Sequence, residues 1–423
     1  MNRISRTVFV AVAFSLSTFA AAQIPLNDLG TGLYLNQYQG GLYPGGVNAL
    51  PAAQLNAFMA RAGGIRPLNT SGQPDPNGKF VLMSVGLSNT SQEWCGNDSS
   101  LTSQPYSLMG QAAVHPAIDH SRMVIFNGAR GGQSADTWDQ TTDANYTRVA
   151  GDLTTAGLSE AQVRAAWLKV ANPGPTASLP AANADAKTLV QQMGNIVRSM
   201  KQRYSNLDMV FVSSRIYAGY ATTSQNPEPY AYETGLAVKW LIGAQINQMN
   251  GGGIDPLAGD LSFIAGGPAP LLAWGPYMWA NGTTPRSDGL TWVPSDFAND
   301  GTHPSAPQGR KKVADALMRY FINTPYTNSW FLKYKQGDAD TNGVINFDDY
   351  ARIDNGFNNG LTGWENGDFN YDGVVNFDDY ALIDANFNLQ SGSILRGASV
   401  PEPAQAVTLL LLSQLVRRRP SRK

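Results

Sequence analysis

The chain has 423 residues, 43% of them hydrophobic, with a formal net charge of −2 and a single cysteine. That length and apolar content suffice for one large domain and a small one, and the near-balanced charge lacks the basic footprint of a nucleic-acid binder. The lone Cys95 excludes an internal disulfide and reads as a partly buried small residue.

Residues 1–22 carry Arg3 and Arg6, an apolar segment from Val8 to about Ala20, and then Ala20–Ala21–Ala22 before Gln23. A basic start, a short apolar run and small residues at a cleavage point predict a secretory signal, so the chain is expected outside the cell or at its surface. Gln23 to Lys79 is rich in Gly, Pro, Asn and Tyr, with a helix-like piece at Ala52 to Arg61. It is expected to pack over the domain that follows.

Phe80 to Val85 has the length and bulk of a buried strand and runs into Gly86–Leu87–Ser88–Asn89. A glycine there lets the chain turn sharply and present Ser88 at the sheet's edge, the place where parallel α/β sheets bind ligands. Ser88 is the candidate nucleophile; a turn or N-cap serine is the alternative. A serine hydroxyl needs a base to take its proton. Of the three histidines, His115 and His120 lie in a loop before an apolar run, whereas His303 stands in Asn–Asp–Gly–Thr–His–Pro–Ser ahead of the helical pattern Gln308 to Phe321. Asp300 precedes His303 by a spacing at which one loop can aim a carboxylate at Nδ1 and leave Nε2 for the serine.

Further apolar runs at Arg122 to Phe126, Ala165 to Val170, Met209 to Val212 and Leu271 to Tyr277 predict four more strands. Between them, Leu189, Met193, Ile196, Val197 and Met200 give one apolar face to a helix over Ala184 to Tyr204, and Tyr230 to about Gln248 is a second helical stretch. Strands alternating with helices predict a parallel sheet covered on both faces, a three-layer α/β/α sandwich over residues 23–325. Glu93, Trp94, Arg130, Gln133, Arg215, Tyr217 and Glu233 fall near the ends of these elements. Arg130, Gln133 and Arg215 lie next to motif positions and are candidates for binding a sugar hydroxyl or carboxylate, Gln133 and Arg215 foremost, with loop hydrogen bonds and salt bridges as the alternative.

Gly86, Ser88 and Asn89, the glycines of Ala129 to Trp138 (ARGGQSADTW), and Asp300 with His303 together resemble the SGNH, or GDSL-like, hydrolases, especially their carbohydrate acetylesterase-like branches. The resemblance covers roughly residues 25 to 325. It implies that Ser88 attacks an ester carbonyl, His303 shuttles the proton and Asp300 orients the histidine, with no cofactor for the chemistry. The pattern departs at one point. After Met209 to Val212 the chain reads Ser213–Ser214–Arg215–Ile216–Tyr217, without the asparagine that the family places after a central strand. The oxyanion hole is therefore assigned to backbone N–H groups of Ser88 and of Gly131 or Gly132.

From Asn323 to Lys335 the pattern changes, and residues 335–390 contain a repeat with a period of 30 residues. Asp338, Asp340, Asn342, Gly343, Val344 and Asp349 recur as Asp368, Asn370, Asp372, Gly373, Val374 and Asp379. Oxygen donors at positions 1, 3, 5 and 12, a turn glycine at 6 and a backbone carbonyl at 7, supplied by Val344 and Val374, suit calcium's demand for six to eight oxygens. The duplicated loops, each followed by Asp–Asp–Tyr–Ala, resemble the dockerin type I family. The resemblance implies a small α-helical tandem EF-hand-like domain with two structural Ca2+ ions, docking on a cohesin-like or other surface partner.

Residues 391–423 read as a linker and a tail in which Val400–Pro401–Glu402–Pro403, an apolar stretch to Val416 and Arg417–Arg418–Arg419 resemble a PEP-CTERM sorting signal. The apolar part is shorter than the roughly 20 residues of a spanning helix, so any membrane association is expected to be transient. Two functions are compatible with these features. One is an exported serine esterase that removes acyl groups such as acetyl from a polysaccharide, and the other is a non-catalytic glycan-binding surface protein attached through the calcium module.

Overall fold

The computed structural model describes residues 23–97 and 102–390. The signal expected at 1–22 and the linker and tail expected at 391–423 lie outside the described residues. The described residues form two compact units, one made of those up to Tyr334 together with Tyr371–Gly373, the other of Lys335–Asn370 and those from Val374 to Gln390.

The first unit is built on a parallel sheet of five strands: β1 Phe80–Gly86, β2 Met123–Asn127, β3 Val163–Lys169, β4 Met209–Val212 and β5 Leu271–Trp274, in the order β2-β1-β3-β4-β5. Every residue of β1 is buried, as expected of a strand covered on both faces whose apolar run is broken only by Ser84, and Ser84 Oγ donates to Asn127 Oδ1 at 2.8 Å. Alternate side chains of β1 go opposite ways. Val81, Met83 and Val85, with Ala166, Leu168, Val210 and Val212, join the core formed with helices α4 Ala144–Thr155, α5 Asp185–Arg203 and α6 Tyr230–Met249.

On the opposite face Trp167 of β3 stacks on Trp94 at 5.4 Å, and Phe211 of β4 meets Phe321 at 5.6 Å and Phe58 at 6.3 Å. These partners come from helices α1 Ala52–Gly63, α2 Ser88–Trp94 and α7 Gln308–Asn323, and the short helices α3 Leu108–Val114 and α8 Pro325–Phe331 pack against α7. The result is a sheet between two helical layers, α/β with a three-layer arrangement. The N-terminal stretch does pack over this unit: Gln54 Nε2 donates to Leu272 O at 2.6 Å and Leu26 N to Tyr277 Oη at 3.1 Å.

The run expected as strand through Tyr277 ends at Trp274. Gly275 N still reaches Val212 O at 2.9 Å, but Pro276 has no N–H to extend the ladder. Cys95 is fully buried rather than partly so, because it closes helix α2 against the sheet.

Beneath α2 lies an ion pair. Lys169 Nζ, at the end of β3, contacts both oxygens of Glu93 at 2.6 Å, and neither side chain reaches solvent. Burial pushes the Glu93 carboxyl up and the Lys169 ammonium down, each opposed by the partner's charge.

In the second unit, helices α9 Phe347–Asn359 and α10 Phe377–Leu389 follow the two repeated loops, each opened by an asparagine capping box at Asn346 or Asn376. The repeat is mirrored in the packing. Tyr350 Oη donates to Asp384 Oδ1 and Tyr380 Oη to Asp354 Oδ1, both at 2.5 Å.

Candidate functional site

A sheet of order β2-β1-β3-β4-β5 changes winding direction between β1 and β3, and the crevice at the carboxyl ends of those strands is the natural ligand site. The chain leaves β1 through Gly86, at φ +151°, where a Cβ would stand 2.0 Å from the Lys169 carbonyl oxygen. No other residue fits so close to the neighbouring strand. Thr90 Oγ1 donates to the same carbonyl at 2.6 Å and fixes the first turn of α2. Ser88, half-buried, opens that helix, and its backbone N–H has no acceptor among the described residues.

The partner arrives from the far end of the unit. Asp300 Oδ1 accepts the backbone N–H groups of Thr302 and His303, each at 3.0 Å, and its Oδ2 accepts from His303 Nδ1. Gly301 makes this tight loop feasible, at φ +66° with the Tyr220 carbonyl 1.8 Å from where a Cβ would stand. His303 Nε2 faces Ser88 Oγ at 2.7 Å. Burial alone would raise the Asp300 carboxyl, but the hydrogen bonds from His303 and Thr302 and the imidazole beside it hold it below the ordinary range. Its charge fixes the tautomer with Nδ1 protonated, so Nε2 is the acceptor for the serine proton. The Thr302 carbonyl accepts from Asn89 Nδ2 at 3.0 Å and Arg215 Nη2 at 3.4 Å, which ties the histidine loop to α2 and to the end of β4.

The serine and histidine open on a cleft of about 400 Å³, also lined by Asn89, Gly131, Gly132, Gln133, Asn172 and Arg215. Larger depressions elsewhere, of about 770 and 900 Å³, contain no nucleophile paired with a base among the described residues. The N–H groups of Gly131 and Gly132 have no protein acceptor among the described residues, which leaves them free for a developing oxyanion alongside that of Ser88. Asn145 Nδ2 donates to Gln133 Oε1 at 2.6 Å and so orients the Gln133 amide, with Nε2 as its remaining donor.

Asn172 was missed in the sequence. The sequence analysis looks for an asparagine after β4, yet the central strand of the five is β3, and the run Ala165 to Val170 ends just before Asn172. Asn172 reaches the cleft, but its amide hydrogens go to Asp185 Oδ1 at 3.0 Å and Gln192 Oε1 at 2.8 Å. Asn172 thus has no amide hydrogen left for the cleft, whereas the N–H groups of Ser88, Gly131 and Gly132 have no acceptor among the described residues.

The other residues singled out have structural partners. Trp94 Nε1 donates to Phe126 O, and Arg130 is exposed and ties its backbone N–H to Gly86 O. Tyr217 packs edge-on against Tyr220 and Trp279. His115 and His120 hold one another's loop, His120 Nε2 contacting His115 O at 3.1 Å, and neither lines the cleft.

In the second unit, one ligand atom each from Asp338, Asp340 and Asp349 lies within 4.8 Å of the others, a donor set that could hold a hard cation. Asp349 accepts Ala339 N and Asp340 N on Oδ1 and Asn346 N on Oδ2, closing the loop from its twelfth position. Asp338 is pushed up to about 6 by burial and by the charges of Asp349 and Asp340, a repulsion that a cation would relieve. Asn342 Oδ1 accepts Val344 N at 2.8 Å, and Val344 is exposed. In the second loop Asp379 makes the matching bonds to Phe369 N, Asn370 N and Asn376 N. Asp368 and Asp379 are buried, Asn370 is half-buried, and Asp372 and Val374 are exposed.

No family model matches the chain, and no curated protein matches it. Among solved structures, a putative GDSL-like lipase from Parabacteroides merdae is 12% identical, with 58% of this chain and 98% of that one covered and a TM-score of 0.31. The salicylyl-acyltransferase SsfX3 of a tetracycline biosynthetic pathway is 14% identical over 59% of this chain and 55% of that one, with a TM-score of 0.29. An extracellular lipase from Streptomyces rimosus is 13% identical over 56% of this chain and 99% of that one, with a TM-score of 0.26. Likeness at this level carries no statement about chemistry, which rests on the side chains described above.

Glu233 braces the segment that leads from Asn172 to α5. Both its oxygens accept the Leu179 N–H, at 3.1 and 3.0 Å, and Tyr34 Oη donates to Oε1. Burial outweighs these bonds and pushes the carboxyl up to about 7. A raised carboxyl keeps its proton in the folded state after the unfolded chain has lost it near pH 4–5, so stability falls as pH rises from there to about 7. Glu233→Gln should abolish that fall, recovering at pH 8 on the order of 3 kcal/mol at most relative to wild type. Urea denaturation at pH 5 and pH 8 checks this; parallel pH dependences for the two proteins would contradict it.

Proposed function

We propose that this protein is an exported serine ester hydrolase of the SGNH type that removes acyl groups from a carbohydrate. The observation that carries the reading is the contact of Ser88 Oγ with His303 Nε2 at 2.7 Å, with Asp300 on the opposite ring nitrogen. Ser88 Oγ bonds to the ester carbonyl carbon as its proton passes to His303 Nε2, and the carbonyl oxygen takes the charge toward the N–H groups of Ser88 and of Gly131 or Gly132. Collapse breaks the ester C–O bond, and His303 returns the proton to the departing alcohol. Water attacks the acyl-serine by the same path and releases the acid. Gln133 and Arg215 line the cleft in which the alcohol portion would lie. Gln133, Ser134, Gln225, Asn226 and Thr302 line the cleft beside Leu87, Ala171 and Pro173, a set whose hydrogen-bonding groups suit a hydroxylated substrate.

Ser88→Ala should lower the rate of acetyl ester hydrolysis by about a thousandfold or more, and Asp300→Asn by about two to four orders of magnitude, because the histidine then loses its tautomer and orientation. Steady-state kinetics on acetylated xylan and an aryl acetate test this, with circular dichroism to verify folding. An undiminished rate in Ser88→Ala would remove Ser88 from the chemistry.

The second unit is proposed as a dockerin-like attachment module that binds two Ca2+ ions and a cohesin-like or surface partner. The reading is supported by the Asp338, Asp340 and Asp349 cluster and by the matching bonds of Asp349 and Asp379. Calorimetric titration of the whole protein should find two calcium equivalents, and Asp349→Ala should lose one of them. No heat at millimolar calcium would refute the module's metal dependence.

A further inference from the structure

Arg215 is 2% exposed, yet it lines the cleft beside Ser88 and His303. A guanidinium offers five N–H donors. Here the only acceptor it meets among the described residues is the Thr302 carbonyl, at 3.4 Å from Nη2, and Nε is buried with no partner. Leaving such donors unpaired costs about 1–3 kcal/mol each, more for a charged group, so a buried arginine in this state calls for an acceptor.

The nearby anions do not supply one. Glu93, Glu228 and Asp300 are the carboxylates whose charges bear on Arg215. Both oxygens of Glu93 contact Lys169 Nζ. Glu228 accepts Ala218 N, Tyr232 N and Trp279 Nε1. Asp300 is taken by His303 and Thr302. No ion pair joins Arg215 to any of them among the described residues. Lys169 and Glu93 neutralise each other, and neither Glu228 nor Asp300 pairs with Arg215 among the described residues, so the guanidinium keeps unused donors beside the cleft.

We propose that the Arg215 guanidinium binds a carboxylate carried by the substrate's alcohol portion, so that the preferred ester is an O-acyl group on an acidic sugar of the uronic acid class. This rests on the ester-hydrolase reading above. The carboxylate is assigned to the alcohol side because Arg215 reaches Thr302, one residue from His303, and His303 hands its proton to the leaving oxygen. Groups around the His303 loop therefore flank the departing sugar, whereas Gly131 and Gly132 flank the acyl oxygen. A carboxylate accepts two parallel N–H bonds from a guanidinium, which lysine cannot match.

The test compares O-acetylated methyl α-D-galacturonoside with the O-acetylated methyl α-D-galactoside, which differ only in the carboxylate, and uses an aryl acetate as a neutral reference. Wild type should show kcat/KM about tenfold or more higher on the acidic sugar, expressed mainly in KM, and the preference should weaken as salt rises. Arg215→Gln should bring the ratio of acidic to neutral sugar close to one, with Arg215→Lys between. A wild-type ratio near one, or a ratio unchanged in Arg215→Gln, overturns the carboxylate site. Should the variants fail to fold, inhibition of wild type decides: methyl α-D-galacturonoside must compete at lower concentration than methyl α-D-galactoside, and equal inhibition overturns the proposal. Failure of wild type to hydrolyse the aryl acetate and both sugar esters would instead count against the hydrolase reading itself.

Discussion

Everything at the site depends on how closely β1 and β3 approach where they end. With Gly86 set against the Lys169 carbonyl, the chain turns out of the sheet within two residues, and Thr90 claims that carbonyl from the first turn of α2. Ser88 is thereby held at the mouth of the crevice instead of in the sheet. The same junction carries the Lys169–Glu93 pair, so the helix that bears the serine is fixed to the neighbouring strand by charge and by backbone contact. A side chain at position 86 would push the strands apart or swing the helix, and a displacement of an ångström at a nucleophile is enough to cost orders of magnitude in rate.

The second half of the site is built by a different device. Asp300 and His303 lie on one short loop, and the carboxylate accepts two backbone N–H groups of that loop as well as the imidazole. The loop is thus ordered by the residue that orients the base. Asn89 and Arg215 then fasten it through Thr302 to elements on the opposite side of the crevice. This arrangement leaves Arg215 buried, with the Thr302 carbonyl as the one acceptor its guanidinium meets among the described residues.

Much of this was legible in the sequence, and for physical reasons. Buried parallel strands are continuous apolar runs, so β1 and β4 stand out, and α5 shows its single apolar face in the spacing of Leu189, Met193, Ile196, Val197 and Met200. The adjacency of Asp300 and His303 was readable because it is local. What stayed hidden was non-local. The pairing of Glu93 with Lys169 spans 76 positions and joins two residues that look like surface charges in a linear reading. Asn172 escaped because which strand lies at the centre of the sheet is set by pairing between distant segments, and only that pairing puts β3 there. The end of β5 at Trp274 was blurred by apolar residues that continue beyond Pro276 as core side chains of a loop.

The central claim is that Ser88 is a nucleophile made reactive by His303, and covalent trapping tests it most directly. A fluorophosphonate should react with the intact protein to one equivalent, with peptide mass spectrometry locating the phosphonyl group on Ser88, and His303→Ala should slow that labelling at least a hundredfold. Labelling at another residue, or an enzyme that hydrolyses esters while Ser88 stays unmodified, would contradict the account.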